Sequence, residues 1–298
     1  MLNSALSRPK RKIILDRVVQ PTPDGDSELV TDPDTINQIA VRHFQTIAGG
    51  SHSPVPLPAR WIQQYAPRSD INENIYNNLM ALPDFDEWSA IIASLPNDKA
   101  CGPSGISNEM LKHLEPVANK ALWKIAKFCL LLGTIPDEWR HAVIYPIPKP
   151  MDWKYNLNKT RPITLLECAR KAVVKLISKR MSKVLAKYHI LKGNNHAGLP
   201  ESNTTAPIRI VQQLIEDAKS HQKEIWILFQ DLSKAYDRVN VFMLEKAMAR
   251  LKIPSHCINF VCNLFYKRSN QIIGNNGLTD SYNLLVGIDQ GEIISPLL

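Results

Sequence analysis

The stretch FQDLSKAYDRVN, residues 229–240, follows the apolar run EIWIL, residues 224–228, and places two carboxylates, Asp231 and Asp237, where that run stops. The continuous β-branched and aromatic pattern of KEIWILFQ is the strongest strand signal in the chain, and it predicts a buried strand ending at Gln230. An aspartate at the C-terminal end of such a strand has two uses. It can cap the next helix by accepting a bond from a free backbone N–H. Alternatively, held rigidly yet open to solvent, it can ligate a hard divalent cation whose shell is completed by substrate phosphates. One aspartate does not choose between these; its neighbours must.

The chain has 298 residues, 44% of them hydrophobic, enough for one or two domains with a real core. Its formal charge of +8 attracts polyanions such as nucleic acid or anionic lipid. No apolar stretch reaches spanning length, and MLNSALSRPKRKIIL lacks the basic-then-apolar order of a secretory signal, so no membrane association and an intracellular location, nucleus or cytoplasm, are expected. RPKRK, residues 8–12, reads either as a nuclear import signal or as solvated charge. Five scattered cysteines point to reduced thiols, and His256 beside Cys257 and Cys262 lacks zinc-site spacing and reads as a helix carrying buried thiols.

Outward from the opening stretch, KIILDRVVQPTPDGDSELVT reads as two short strands around a turn, and DPDTINQIAVRHFQTI as a helix capped by Asp34. AGGSHSPVPLPARWIQQYAPRSD reads as a linker. Helices are predicted over DEWSAIIASL and within ISNEMLKHLEPVANKALWKIAKFCLLLG, then a strand at AVIYPI. RPITLLECARKAVVKLISKRMSKVLAKYHIL opens extended and becomes a long helix. On it Val173, Ile177, Met181, Val184 and Tyr188 recur on a core face, opposite a basic stripe from Lys171 to Lys187 that is either solvated or lies along a phosphate backbone. TTAPIRIVQQLIEDAKSHQ, NVFMLEKAMARL and SHCINFVCNLFYK read as further helices, and QIIG and SYNLLVG as a hairpin.

FQDLSKAYDRVN resembles the central palm motif of reverse transcriptases, especially those of non-LTR retrotransposons and group II introns. NDKACGPSGISNEMLKHL, AVIYPIPKP, RPITLLECARKAVVKLISKRM, NNHAGLPESNTTAPIRIVQQLIEDA and VGIDQGEIISPLL resemble the family's other blocks, in the family's order, across residues 85–298. The resemblance implies an α+β right-hand polymerase with helical fingers and an incomplete palm. Residues 1–84 are then an extension and linker, 85–222 the fingers-like region and 223–298 the partial palm. Asp231 matches the catalytic, metal-binding aspartate, with the carbonyl of Leu232 as companion ligand. Tyr236 matches an aromatic gate that excludes a ribose 2′-hydroxyl, and Asp237 an acidic position that does not hold metal. Lys149 and Arg161 match residues that clamp the triphosphate, and Gln290 and Gly291 the turn that touches template and incoming nucleotide.

The mechanism implied is nucleotidyl transfer with two Mg²⁺ ions on an RNA template and DNA primer, using deoxynucleoside triphosphates. The family's second carboxylate set, on an Ala-Asp-Asp hairpin downstream of the Gln/Gly turn, is not in this sequence. ISPLL, with Ser295 as N-cap and Pro296 in the first turn, announces a helix, so a truncated polymerase that does not extend a primer is expected. Ser104, His196 and Leu199 also stand where the family usually has Asp, Gln and an aromatic. A non-catalytic RNA-binding remnant or maturase-like module is the alternative. The polymerase reading expects Asp231 bare at a sheet's rim, within reach of Lys149 and Arg161.

Overall fold

The computed structural model describes residues 13–21, 26–49, 57–191, 197–200 and 203–298. RPKRK, the 22–25 turn, residues 50–56 of the linker and His196 lie outside them. The first strands form as the sequence predicts: β1 (Val18–Pro21) pairs antiparallel with β2 (Ser27–Val30). Helix α1 (Pro33–Ala48) starts two residues earlier than expected. Its cap is Asp32, whose carboxylate accepts from the Thr35 amide at 2.9 Å, while Asp34 sits in the first turn. Pro33 explains the shift, because its fixed φ and missing N–H suit the first helical position and make the residue before it the cap.

After the four-residue helix α2 (Ala59–Ile62), four further helices follow: α3 (Phe85–Ala93), α4 (Asn108–Lys112), α5 (Pro116–Leu132) and α6 (Cys168–Lys187). Between α5 and α6 run β3 (His141–Pro148) and β4 (Thr160–Leu165), antiparallel, with Ile147 opposite Arg161. Helices α7 (Thr205–Ser220), α8 (Val241–Arg250) and α9 (Ser255–Asn263) lead to β5 (Arg268–Gly274), β6 (Gly277–Leu278) and β7 (Tyr282–Leu284). The sheet order is β4-β3-β5-β6, with β7 also on β5, and β3 runs parallel to β5. The architecture is mixed α and β.

β3 and β4 carry three prolines without losing the ladder. Lys149 donates its amide to the carbonyl of Lys159 at 2.9 Å, which marks that pair as hydrogen-bonded. Alternation then places Pro146, Pro148 and Pro162 at positions whose nitrogens face away from the β3–β4 partner. On its other edge β3 pairs with β5 only as far as Ile144, so the two β3 prolines interrupt nothing there either.

Two apolar cores flank this sheet. The larger joins Trp88, Ile91, Leu130, Val173, Ile177, Phe260 and Phe265, drawn mainly from the helices. The smaller packs Ile36, Ala40 and Phe44 of α1 against Ile144, Ile272 and Tyr282 of the sheet. On α6, Val173, Ile177 and Met181 are buried as expected, Val184 is half-buried, and Tyr188 is exposed. Tyr188 follows the last helical residue, Lys187, as the C-cap, so it leaves the core face. Lys171 and Lys175 are half-buried and the other three lysines exposed. Loop residue Ser104 is pinned to the base of α6, its amide and hydroxyl donating to Glu167 at 2.8 and 2.6 Å.

Two expectations are corrected here. Residues 223–230 form no strand: Trp226 is 90% exposed, Leu228 92% and Phe229 80%, and of α7 only Ala218 is buried. Strand propensity reports fitness for a pleated, covered surface, and among the described residues no neighbouring strand supplies one. Residues 236–239, and not that run, meet 287–288. Lastly, Ser295 lies inside the 3-10 turn Ser295–Leu297 rather than capping it, because the Leu297 amide already bonds the carbonyl of Ile294. The five cysteines are free thiols, and His256 lies 2.6 Å from the Leu130 carbonyl, a backbone contact rather than a metal bond. No helix among the described residues is long and apolar enough to cross a membrane.

Two phenylalanines separate packed from unpacked chain. Phe260→Ala should cost about 3–5 kcal/mol in urea unfolding, whereas Phe229→Ala should stay within about 0.5 kcal/mol. Equal losses would show that residues 223–230 are packed.

Candidate functional site

The β3–β4 register brings Lys149 and Arg161 together. Lys149 lies opposite Lys159 and Arg161 opposite Ile147, so the two cations are diagonal neighbours on one face of the ribbon, roughly 7–8 Å apart at their backbones. The Lys149 ammonium is steadied by the Asn158 carbonyl at 2.7 Å, and Arg161 is exposed.

Three residues beyond Arg161, β4 receives the turn that follows β7. The Thr164 amide donates to the Gln290 carbonyl at 3.2 Å, and Gly291, at φ 152°, lies so close that a Cβ would stand 2.4 Å from the Thr164 oxygen. The other side of the turn rests on residues 236–239. Gly287 and Ile288 donate their amides to the carbonyls of Val239 and Tyr236, each at 2.9 Å, and a Cβ on Gly287, at φ 84°, would come within 2.8 Å of the Asp237 oxygen. Only glycine meets both the dihedral and the approach at these two positions. Tyr236, Gln290, Gly291 and the strand bearing Arg161 are thus brought into one neighbourhood.

What fixes the turn is a buried charge network absent from the sequence-based site. Asp289 accepts from Arg268 at 2.6 Å and from Arg170 at 3.1 Å, and Arg170 donates to Glu292 at 2.8 Å. The guanidinium of Arg170 also donates to the carbonyls of Trp139 and Leu264, and that of Arg268 to those of Phe265, Val286 and Gly287. All four side chains are almost wholly buried. The signal was available: Arg170 stands three residues before Val173 on the core stripe of α6, and two acids interrupt the apolar VGIDQGEII.

Around the turn lie Asp237 and a cluster of cations. Burial pushes the Asp237 carboxyl above the ordinary aspartate range, opposed by Lys234 and Arg268. Lys234, Asp237, Arg238 and Asn240 line a cleft of about 350 Å³ whose other wall is Thr46, Ile47 and Gly49 at the end of α1. His43 of the same helix is pushed down to about 4, chiefly by burial and then by Lys234 and Lys149. Helix α1 therefore stands beside the lysines of the site.

Asp231 and Leu232 are placed differently from expectation. Asp231 is bare to solvent as anticipated, but on unpaired chain rather than at a sheet's rim, and Leu232 is 69% exposed. Three residues of extended chain reach at most about 11 Å, which keeps Asp231 in the neighbourhood of Lys234. The donors do not fit a two-ion site: among the described residues no group of three or more His, Cys, Asp or Glu side chains could hold a metal ion. As arranged, the residues present cations and a rigid turn to a polyanion.

A family model described as "Reverse transcriptase (RNA-dependent DNA polymerase)" matches residues 147–298, just over half of the chain. The chain is 25% identical over 213 residues to a "Probable RNA-directed DNA polymerase from transposon BS" of Drosophila melanogaster, covering 72% of this chain and 23% of that protein. It is 24% identical over 216 residues to the "Transposon TX1 uncharacterized 149 kDa protein" of Xenopus laevis, covering 72% and 16%. It is also 24% identical over 170 residues to a "Retrovirus-related Pol polyprotein from type-1 retrotransposable element R2" of Popillia japonica, covering 57% and 23%. The matched region thus spans less than a quarter of the length of these relatives.

Arg170→Met should cost about 3–5 kcal/mol in urea unfolding, because Glu292 and part of Asp289 would be left charged and buried without a partner. The His43 shift sets an acid limit. Its folded value lies below its unfolded value near 6.5, so between about 6.5 and 4 the unfolded state holds more protons and stability falls as pH falls. Thermal melts of the wild type and His43→Gln across that window should diverge, the variant losing less stability on acidification; parallel profiles would contradict the assignment.

Proposed function

Because the chain belongs to the reverse transcriptase (RNA-dependent DNA polymerase) family, we propose that it forms the template- and nucleotide-gripping part of an RNA-directed DNA polymerase from a non-LTR retrotransposon. On this reading its partners are an RNA template, a DNA primer and deoxynucleoside triphosphates. Residues 85–222 serve as fingers, residues 223–298 as the start of the palm, and residues 1–84 as an extension in front. The carrying observation is the Gly287–Gly291 turn locked between Tyr236 and β4, next to the strand edge that presents Lys149 and Arg161.

Each residue then has a physical task. Lys149 and Arg161 offset the charge of a triphosphate, which accumulates on phosphoryl oxygens as the bond to the α-phosphorus changes hands. The turn at Gln290 and Gly291 offers backbone to the new base pair, and glycine allows the close approach. Tyr236 supplies a ring to exclude a ribose 2′-hydroxyl. Asp237 serves structurally beneath Gly287. The family in general uses divalent metal ions, and Asp231 with the Leu232 carbonyl are the candidate ligands. The donors among the described residues do not fit two ions.

The test is fluorescence anisotropy with a labelled DNA primer on an RNA template. The duplex should bind at low salt and weaken steeply as counterions compete. A deoxynucleoside triphosphate matching the next template base should slow duplex dissociation, and Arg161→Ala or Lys149→Ala should remove that slowing while duplex affinity changes less than about threefold. No duplex binding at low salt, or slowing indifferent to both substitutions, would overturn the assignment.

A further inference from the structure

The tip of the β3–β4 ribbon has a backbone that needs support from outside. Lys154 and Tyr155 are consecutive non-glycine residues in the left-handed region, at φ 44° and 57°, and the Asn156 amide closes the turn on the Trp153 carbonyl at 2.8 Å. That is the φ pattern of a type I′ turn, whose central positions ordinarily take Asn and Gly. With an L side chain at both, the strain persists only where the surroundings hold it.

The support comes from β1. Val19 donates its amide to the Tyr155 carbonyl at 2.9 Å, and the Arg17 guanidinium, paired with Asp16 at 2.9 Å, lies over the Tyr155 ring at 5.4 Å. Beneath them Leu15 and Val18 share the smaller core with Leu157 of the tip. The β1–β2 ladder leaves the Val19 amide available for this. Val19 stands opposite Leu29, and because its N–H points to Tyr155 the pair is a non-hydrogen-bonded one, so Val18–Val30 and Gln20–Glu28 carry the ladder.

We propose that Val19 and Arg17 are positioning residues for the triphosphate grip: by clamping Tyr155 they fix the ribbon tip, and through it the Lys149 ammonium. The route is short. Tyr155 adjoins Asn156, whose side chain accepts the Asn158 amide at 2.9 Å, and the Asn158 carbonyl accepts the Lys149 ammonium at 2.7 Å. Lys149 also donates its amide to Lys159, two residues before Arg161. A tip that swings carries the Asn158 carbonyl with it, and the ammonium loses its fixed offset from Arg161. A cation already in place needs no reorganisation when charge builds on a phosphoryl oxygen, so the loss falls on nucleotide grip rather than on duplex affinity. The inference rests on the reading of Lys149 and Arg161 as that grip, but it assigns a task to residues well ahead of the family match at 147.

The test changes β1 alone. Val19→Pro deletes the amide bonded to Tyr155 and spares the ladder, as Pro21 does two residues on. Arg17→Ala removes the cation above the ring. Either should speed hydrogen exchange at the amides of Lys149, Asn156 and Lys159 about threefold to tenfold in the free protein. In the anisotropy assay each should cut the nucleotide-dependent slowing of duplex dissociation about threefold, with duplex affinity within about twofold. Tyr155→Phe keeps the ring and the carbonyl and should match wild type in both. Ile36→Val, which loosens the same small core from the α1 side, should leave the slowing unchanged. Unchanged exchange at the tip in both β1 variants would overturn the clamp. Faster exchange with slowing intact would overturn its role in gripping nucleotide, as would an equal loss in Ile36→Val. If the wild type shows no slowing, the grip reading fails and takes the positioning role with it; exchange at the tip separates that failure from a failure of the clamp.

Discussion

Two arginines and two acids, buried together, hold the candidate site in shape. Arg170 comes from α6, Arg268 from the start of β5, and Asp289 and Glu292 from the turn itself. Removing four charges from water costs several kcal/mol per ion, and their mutual attraction offsets it only where every remaining donor is satisfied. The carbonyls of Trp139, Leu264, Phe265, Val286 and Gly287 take up most of the remaining donors. The network contributes a defined turn conformation more than net stability. A slack network would leave buried charge unpaired, so the Gly287–Gly291 backbone has one position that works.

That position links the two halves of the molecule. The turn is bonded to β4 through Thr164 and to the 236–239 segment through Ile288, while Arg170 reaches the helical core and Arg268 anchors the sheet. Cations on the β3–β4 ribbon are thereby kept at a fixed offset from the glycines. Helix α1 is tied to the same frame, because Phe44 shares a core with Ile144 and Ile272. Residues that precede the family match at 147 thus wall the cleft beside Lys234.

Against this rigidity stands the run from Lys223 to Asp231. It carries the best strand composition in the chain and yet pairs with no strand among the described residues. The contrast is informative about where β-structure comes from. β5 contains a serine, an asparagine and a glutamine but is paired on both edges, whereas EIWILF is not paired on either. Hydrogen-bond partners and a covering layer decide the outcome, and composition only makes a segment ready for them.

The amino-acid order by itself determined most helices, the β1–β2 and β5–β7 hairpins, the free thiols and the family, because each rests on local periodicity or on motifs read in sequence. Only the family resemblance grouped Lys149 with Arg161; the ladder register that makes them diagonal neighbours belongs to the structure. The order alone did not determine the fate of residues 223–230, the cap of α1 or the Arg170–Asp289–Arg268–Glu292 cluster. Those depend on what lies alongside in space: a missing neighbour for the first, the rigid ring of Pro33 for the second, and for the third the meeting of residues as far as 122 positions apart in a medium where no charge is left without a partner.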